Sequence, residues 1–305
     1  MEGIIPLWKP RGMTSHDCVF QLRKILKTKK VGHSGTLDPD VDGILPICIG
    51  KATKVVEYLQ DSNKIYTGEI TLGFSTETED ASGEVVEVTP VISPVSDEEI
   101  DEAMTQLTGK IKQVPPMYSA VKVNGRRLYD YARNGETVER PIRDANIYSY
   151  RRLSESVYNE VKQTQSWRFE VDCGKGTYVR TLSVDTGKKL GFAAHMSDLT
   201  RLASGGFSAS EAVSLDMVKT CAEADTLDQV LYPLERALSS FKRIDLSEQD
   251  YSVIKNGSVV PHTFFKEQVK GEIVALYYQD KAVSLYADHP SKVGYLKPMK
   301  VLRND

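Results

Sequence analysis

The sequence predicts an α+β fold carrying a small β-rich module towards its C-terminal end. Three observations support this. The runs KIYTGEITLG (64–73) and WRFEVDC (167–173) alternate apolar and polar residues with the period of a half-buried strand. Between such runs lie segments with one apolar face at helical spacing, as at Val19, Leu22, Ile25 and Leu26. Near the end of the chain, the short runs IVALYY and AVSLYA are separated by turn signals at Gly257, Asp280 and His289-Pro290. A chain of 305 residues has room for two such units, expected at 1–240 and 245–305 with a linker near Ser239–Leu246.

In chain order, Gly3 to Trp8 reads as a short strand and KPRG (9–12) as a turn. Thr14 to Asp17 then supply the capping chemistry of a helix that ends in Lys24, Lys27, Lys29 and Lys30, cations suited to its C-terminal end. The segment GHSGTLDPDVD (32–42) follows. Its glycines, Pro39 and three aspartates cannot form a core element, and a polar turn between buried elements is where a scaffold presents functional side chains. By composition alone Asp38 reads first as a turn or cap aspartate.

Ile44–Ile49 reads as a buried strand and Ala52–Leu59 as a helix with Val55, Val56 and Leu59 inward. Tyr66, inside the 64–73 strand, reads as a core tyrosine. The acidic stretch TETEDASGEVVEV turns at Ala81–Gly83, and Asp97–Leu107 reads as an acidic surface helix. From 113 to 143, Asn124-Gly125 is a hairpin signal between strands. Its flanks interleave Tyr118, Tyr129 and Tyr131 with Lys122, Arg126, Arg127, Arg133, Arg140 and Arg143. That composition suits either a solvated hairpin or a surface that stacks on bases and neutralises phosphates. After the 167–173 strand, GKGTYVRTL opens a helix with Tyr178 and Arg180 in its first turn, where free amides attract anions.

The formal net charge of -3 hides opposed patches. Seven Lys or Arg face one acid between Lys9 and Lys30, whereas Ser75–Gly109 holds ten acids and no Lys or Arg. Between Lys110 and Arg152, ten basic residues face four acids. Cys18, Cys48, Cys173 and Cys221 make no CxxC pair, and no run has the length or flanks of a signal peptide or a membrane span, so a reduced, soluble, cytoplasmic protein is expected.

Several chemistries lack their residues. Gly187-Lys188 is followed by Lys189, and Gly50-Lys51 by Ala52, so neither is a nucleotide-binding P-loop. His16, His33, His195, His262 and His289 form no metal-binding cluster, and no serine or cysteine has a nucleophile's context. What is left is a mechanism without cofactor or metal, built on a carboxylate. Held ionised, Asp38 can act as a covalent nucleophile, and Arg180 is the best candidate counter-ion if the fold brings the two together.

The segment GHSGTLDPDVDGILPICIGKATK closely resembles the signature of the TruB pseudouridine synthases, close to GHTGTLDPxAxGVLPxxxGxATK. The likeness continues through KPRGMTSHD, KIYTGEITLG, TEDASG, PPMYSAVKVNGRRLYDYAR and GTYVRTL, and more loosely to VGYLKPMKVL in a PUA-like module. It implies the pseudouridine synthase fold, a mixed and mainly antiparallel central sheet flanked by helices and loops. It also implies isomerisation of uridine 55 in the T loop of tRNA to pseudouridine. In that reading Asp38 is the nucleophile, Arg180 pairs with it, and Tyr66 stacks on the base and helps remove the C5 proton. His33 fills the space vacated by the flipped nucleotide, Tyr178 and Leu199 line the site, and Lys9 supports or contacts the RNA backbone. Residues 113–143, with Lys122, Arg126, Arg127 and Arg133, would be an RNA-clasping insertion.

The pattern is departed from at Trp8, at Val41-Asp42 and at Thr200, which replaces the first arginine of an LRR; Asp40 and Asp42 read as ordinary turn residues. The expected partner is the T-arm stem-loop of tRNA, with no membrane, no obligate protein partner and a monomeric chain. The alternatives are a guide-RNA-dependent synthase similar to dyskerin and a non-catalytic tRNA chaperone.

Overall fold

In the computed structural model, which describes residues 1–265, 269 and 271–304, the alternating runs become one ten-stranded sheet. Its N-terminal strands are β1 (Gly3–Lys9), β2 (Val31–His33), β3 (Asp42–Ile49) and β4 (Lys64–Leu72). A small hairpin, β5 (Phe74–Thr76) with β6 (Val85–Val88), stands apart, followed by β7 (Gly109–Gln113). The predicted turn at Asn124-Gly125 joins β8 (Lys122–Val123) to β9 (Arg126–Arg127). Both turn residues have positive φ, 51° and 82°, as the tight hairpin turn requires. The large sheet is completed by β10 (Arg143–Arg152), β11 (Val157–Asn159), β12 (Thr164–Cys173), β13 (Ala194–Ser204) and β14 (Phe207–Ser208). Its central path runs β1-β3-β13-β4-β12-β10-β7.

The pairings are antiparallel except that β13 runs parallel to β3, with Thr200 opposite Asp42 and Arg201 opposite Gly43. That one parallel contact brings the 32–42 segment against the middle of the sheet. It needs a glycine: at Gly43 φ is +119°, and a β-carbon there would lie 2.2 Å from the Arg201 carbonyl oxygen.

Helix α1 (Ser15–Ile25) is closed by a capping box between Thr14 and Asp17 and buries Cys18, Val19 and Leu22 against β1 and β3. The predicted helix 52–59 instead forms a 3₁₀ turn, Gly50–Val55, followed by the short α2 (Val56–Gln60). Two β-branched valines at the junction disfavour a longer α-helix; Val55 and Leu59 point inward as expected, joined by Ala52, while Val56 is half-buried. Helices α3 (Asp97–Thr105), α4 (Leu128–Arg133) and α5 (Val179–Leu190) follow. α3 and α5 cover one face of the sheet around Ile70, Trp167, Phe169 and Leu182.

Where a linker was expected near Ser239–Leu246, the chain forms β15 (Lys242–Asp245), after α6 (Leu215–Glu223). β15 belongs to a second, five-stranded sheet with β16 (Val260–Pro261), β17 (Val274–Tyr278), β18 (Lys281–Asp288) and β19 (Tyr295–Val301). Helix α7 (Glu248–Ile254) packs within this unit, adding a helical turn to the β-rich expectation. Residues 266–268, 270 and 305 of the predicted module lie outside the described residues. The two sheets share a core, in which Ala275, Ala282, Leu285 and Leu302 meet Ile4, Ile44 and Cys48. Arg303 adds ion pairs to Glu2 at 2.6 Å and Glu235 at 2.5 Å. Among the described residues no helix is long and apolar enough to cross a membrane.

Gly43→Ala is expected to lower stability by about 2–4 kcal/mol, because the new methyl collides with backbone rather than a movable side chain. Urea unfolding monitored by circular dichroism checks this; a change within about 0.5 kcal/mol would show that the strands separate without cost.

Candidate active site

The loop between β2 and β3 is held from below by the residues that precede it. Ser15 Oγ accepts from the Leu37 amide at 2.9 Å, and the Gly12 amide donates to the Pro39 carbonyl at 2.9 Å. Lys9, expected to support or touch the RNA backbone, is fully buried. Its ammonium donates to the carbonyls of Pro10, Met13 and Pro39 at 2.9, 2.6 and 3.0 Å. It therefore ties the loop down from inside and presents nothing to a ligand. Burial lowers its pKa, opposed by the nearby carboxylates. Leu37 and Val41 are buried on either side of Asp38, so the aspartate between them is forced outward.

Arg180 arrives from the first turn of α5. The N-cap residue Tyr178 has its amide satisfied by Gln113 Oε1 at 2.9 Å, so this helix start is already partnered by β7. The Arg180 guanidinium is nearly buried and touches three loops. Nε lies 3.1 Å from Asp38 Oδ2, Nη1 donates to the Thr78 carbonyl at 3.0 Å, and Nη2 donates to the Tyr118 carbonyl at 3.0 Å. Asp80 stands 3.7 Å from Nη1. Asp80 in turn accepts from the Ser82 amide and from the hydroxyls of Thr78 and Ser82, which fixes the TEDASG turn. The role of Asp80 escaped the sequence reading, although its turn belonged to the resemblance.

Two cavities meet at this ion pair. One, of about 330 Å³, is lined by Tyr66, Tyr178 and Leu199; the other, of about 490 Å³, by Arg11, Asp80, Tyr118 and Tyr129. Asp38 and Arg180 border both. The Asp38 side chain keeps 41% of its surface open to the clefts. The enclosing walls still raise its pKa by desolvation, and Arg180 is the largest opposing influence. Burial also raises the Tyr66 and Tyr178 hydroxyls, with Arg201 pulling Tyr66 the other way, and it lowers His33.

The fold thus gathers Asp38, Arg180, Tyr66, Tyr178 and Leu199. His33 sits at the base of the loop, its Nδ1 accepting from the Gly35 amide at 3.3 Å, and lines neither cavity. Lys122, Arg126, Arg127 and Arg133 are exposed on the hairpin and α4. Arg126 is occupied by a two-pronged pair with Glu136, at 2.9 and 3.1 Å, and by the Tyr131 ring. Asp42 is no simple turn residue: it accepts from Thr200 Oγ1 at 2.6 Å and pairs with Arg11 at 3.2 Å. The two departures from the family pattern at these positions therefore satisfy each other. Arg201 was missed as a cavity residue; only its cross-strand register opposite Tyr66 reveals it.

The architecture matches a solved structure over nearly its whole length. A crystal structure of a Cbf5-Nop10-Gar1 complex superposes with a TM-score of 0.74 at 26% identity, covering 99% of this chain and 86% of that one. The model of the TruB family pseudouridylate synthase N-terminal domain matches residues 23–179, and that of the tRNA pseudouridylate synthase B C-terminal domain matches 180–239. The chain belongs to the TruB family of tRNA pseudouridine synthases, isomerases that convert uridine to pseudouridine in tRNA. It is 51% identical over 302 residues to tRNA pseudouridine synthase B of Pediococcus pentosaceus, covering 99% of both chains. It is 50% identical over 307 residues to the Bacillus pumilus protein of that name, covering 100% of this chain and 99% of the other.

The opposed influences on Asp38 predict a pH dependence. A carboxylate that attacks covalently works only when ionised; with Asp38 in that role, turnover should fall as pH drops through a pKa above the ordinary aspartate value of 3.8. Arg180→Met removes the main group holding that pKa down, and should move the acid limb to higher pH. Single-turnover rates between pH 5 and 8.5 check this; an unmoved limb would assign the titration to another group.

Proposed function

We propose that this chain isomerises uridine 55 in the T loop of tRNA by flipping the base out of the stack and using Asp38 as its nucleophile. The observation that carries this reading is the Asp38–Arg180 pair, 3.1 Å apart, bordering a cavity that Tyr66 also lines. Extracting a base costs a few kcal/mol of stacking, which replacement partners must offset. Tyr66 and Leu199 receive the ring, Tyr178 closes one side, and His33 fills the gap left in the RNA. The C1′–N1 bond then breaks while the ring is retained. The ring turns, C5 bonds to C1′, and the C5 proton is lost with help from Tyr66 while N1 gains a proton. Atoms are conserved throughout, so no oxidant or second substrate is needed.

The insertion 113–143 clasps the RNA in this reading, through Lys122, Arg127 and Arg133, with Arg126 shaping the hairpin rather than meeting phosphate. The chain acts as a monomer in the cytoplasm, and 245–305 is a PUA-like RNA-binding module beside the catalytic unit 1–240. Relatives at about half identity over the full length favour this over a guide-dependent enzyme, since a structural neighbour solved with protein partners, the Cbf5-Nop10-Gar1 complex, is 26% identical.

An unmodified tRNA transcript incubated with the protein, without guide RNA or metal, should gain one pseudouridine at position 55, mapped by mass spectrometry. Asp38→Asn should lower the rate by about 10⁴-fold or more while still binding the transcript. Full activity in that variant would sink the nucleophile assignment and leave the chaperone reading. Neutralising Lys122, Arg127 and Arg133 together should weaken binding and flatten its log–log salt slope, by about 0.7–0.9 for each phosphate that these side chains neutralise in the wild-type complex. An unchanged slope would return the hairpin to a solvated surface.

A further inference from the structure

The floor of the 330 Å³ cavity carries charge that the proposed roles do not use. Arg201 is 1% exposed and stands directly across from Tyr66 in the β4–β13 pairing. Its Nε donates to the Ile44 carbonyl at 2.7 Å. Its Nη2 is buried with no partner, and no carboxylate among the described residues pairs with the guanidinium. Nη1 lies 3.7 Å from where a side chain on Gly35 would begin, under the loop that leads to Asp38. Lys64, one strand-face step from Tyr66, is 9% exposed, and among the described residues its ammonium donates to the carbonyls of Gln60 and Ser62, at 2.8 and 2.7 Å, and pairs with no carboxylate. Ser34 Oγ and Ser119 Oγ, on the walls of the same cavity, are also buried without partners.

Buried cations without counter-ions are costly, and buried polar atoms without partners are rare. Placed together around one cavity, they form a site preorganised for negative charge that arrives only during reaction. Resting on the isomerase reading above, we propose that Arg201, seconded by Lys64, is a positioning residue that holds Tyr66 and offsets the negative charge passed from Asp38 to the uracil ring.

The electron count requires such a charge. If the Asp38 oxygen bonds to C1′, the C1′–N1 electron pair leaves with the ring, which becomes an anion shared over N1 and the two exocyclic oxygens. If it bonds to C6, the C5–C6 pair moves towards O4. In both cases one negative charge leaves the carboxylate and enters the cavity that Arg201 and Lys64 face.

Fluorine at C5 stabilises a ring anion, so an RNA with 5-fluorouridine at the target position depends less on such help. Single-turnover consumption of uridine and 5-fluorouridine transcripts, with RNA affinity and thermal melting measured alongside, tests the proposal. Arg201→Met should lower the rate on uridine roughly 100-fold, with a several-fold smaller loss on 5-fluorouridine and little change in affinity. Lys64→Met, which leaves β13 intact, should show a smaller loss in the same order. Arg201→Lys, which keeps the charge, should recover part of the rate, and it carries the test if the methionine variant does not fold. Equal losses on the two RNAs, or a loss confined to affinity, overturn the proposal. A wild-type chain that leaves uridine unchanged overturns the isomerase reading and this proposal with it.

Discussion

The site depends on one guanidinium being held by three segments at once. Arg180 reaches the 32–42 loop through Asp38, the TEDASG turn through Thr78, and the insertion through Tyr118. Each of these segments is too polar and too rich in turn residues to bury itself, and each is fixed where a charge-assisted or carbonyl contact meets Arg180. A lysine could carry the charge but not the planar set of donors that serves three directions. Removal of this group would free the orientation of Asp38 and also part the walls of both cavities.

The charges around the pair are graded rather than merely opposed. Lys9 sits beneath the loop and is spent on three backbone carbonyls, so it fixes shape and contributes field without being available to a ligand. Asp80 shares Arg180 with Asp38, standing 3.7 Å from Nη1 while Asp38 lies 3.1 Å from Nε. Arg201 and Lys64 line the same cavity as Tyr66, and among the described residues no carboxylate forms an ion pair with either. A carboxylate at the rim and cations at the floor give the cavity a direction along which negative charge can move.

The second sheet is tied to this arrangement through the first. Its residues Ala275, Ala282 and Leu285 pack on the same core as Ile44 and Cys48 of β3, the strand that follows the 32–42 loop. Lys54 donates to the carbonyls of Val301 and Leu302, and Lys300 pairs with Glu57. A core shared at that strand leaves no room for a free linker, and β15 occupies the place where one was expected.

Local pattern alone determined much of this protein. The period-two runs became β4 and β12, the Asn124-Gly125 pair turned the hairpin, Thr14 and Asp17 capped α1, and the 32–42 segment emerged as the loop that presents Asp38. These features are set within a few residues by backbone sterics and side-chain alternation, so a sequence displays them directly. Tertiary structure decided which distant residues meet. The antiparallel pairing of β13 with β4 brought Arg201 across from Tyr66, its parallel seating on β3 set the 32–42 loop beside it, the docking of α5 delivered Arg180, and burial turned Lys9 from a candidate RNA contact into an internal brace. No local rule could select these contacts, because a lysine or arginine reads the same whether its end faces water, a carbonyl or an empty cavity. Only the packing of the sheet settles which it is.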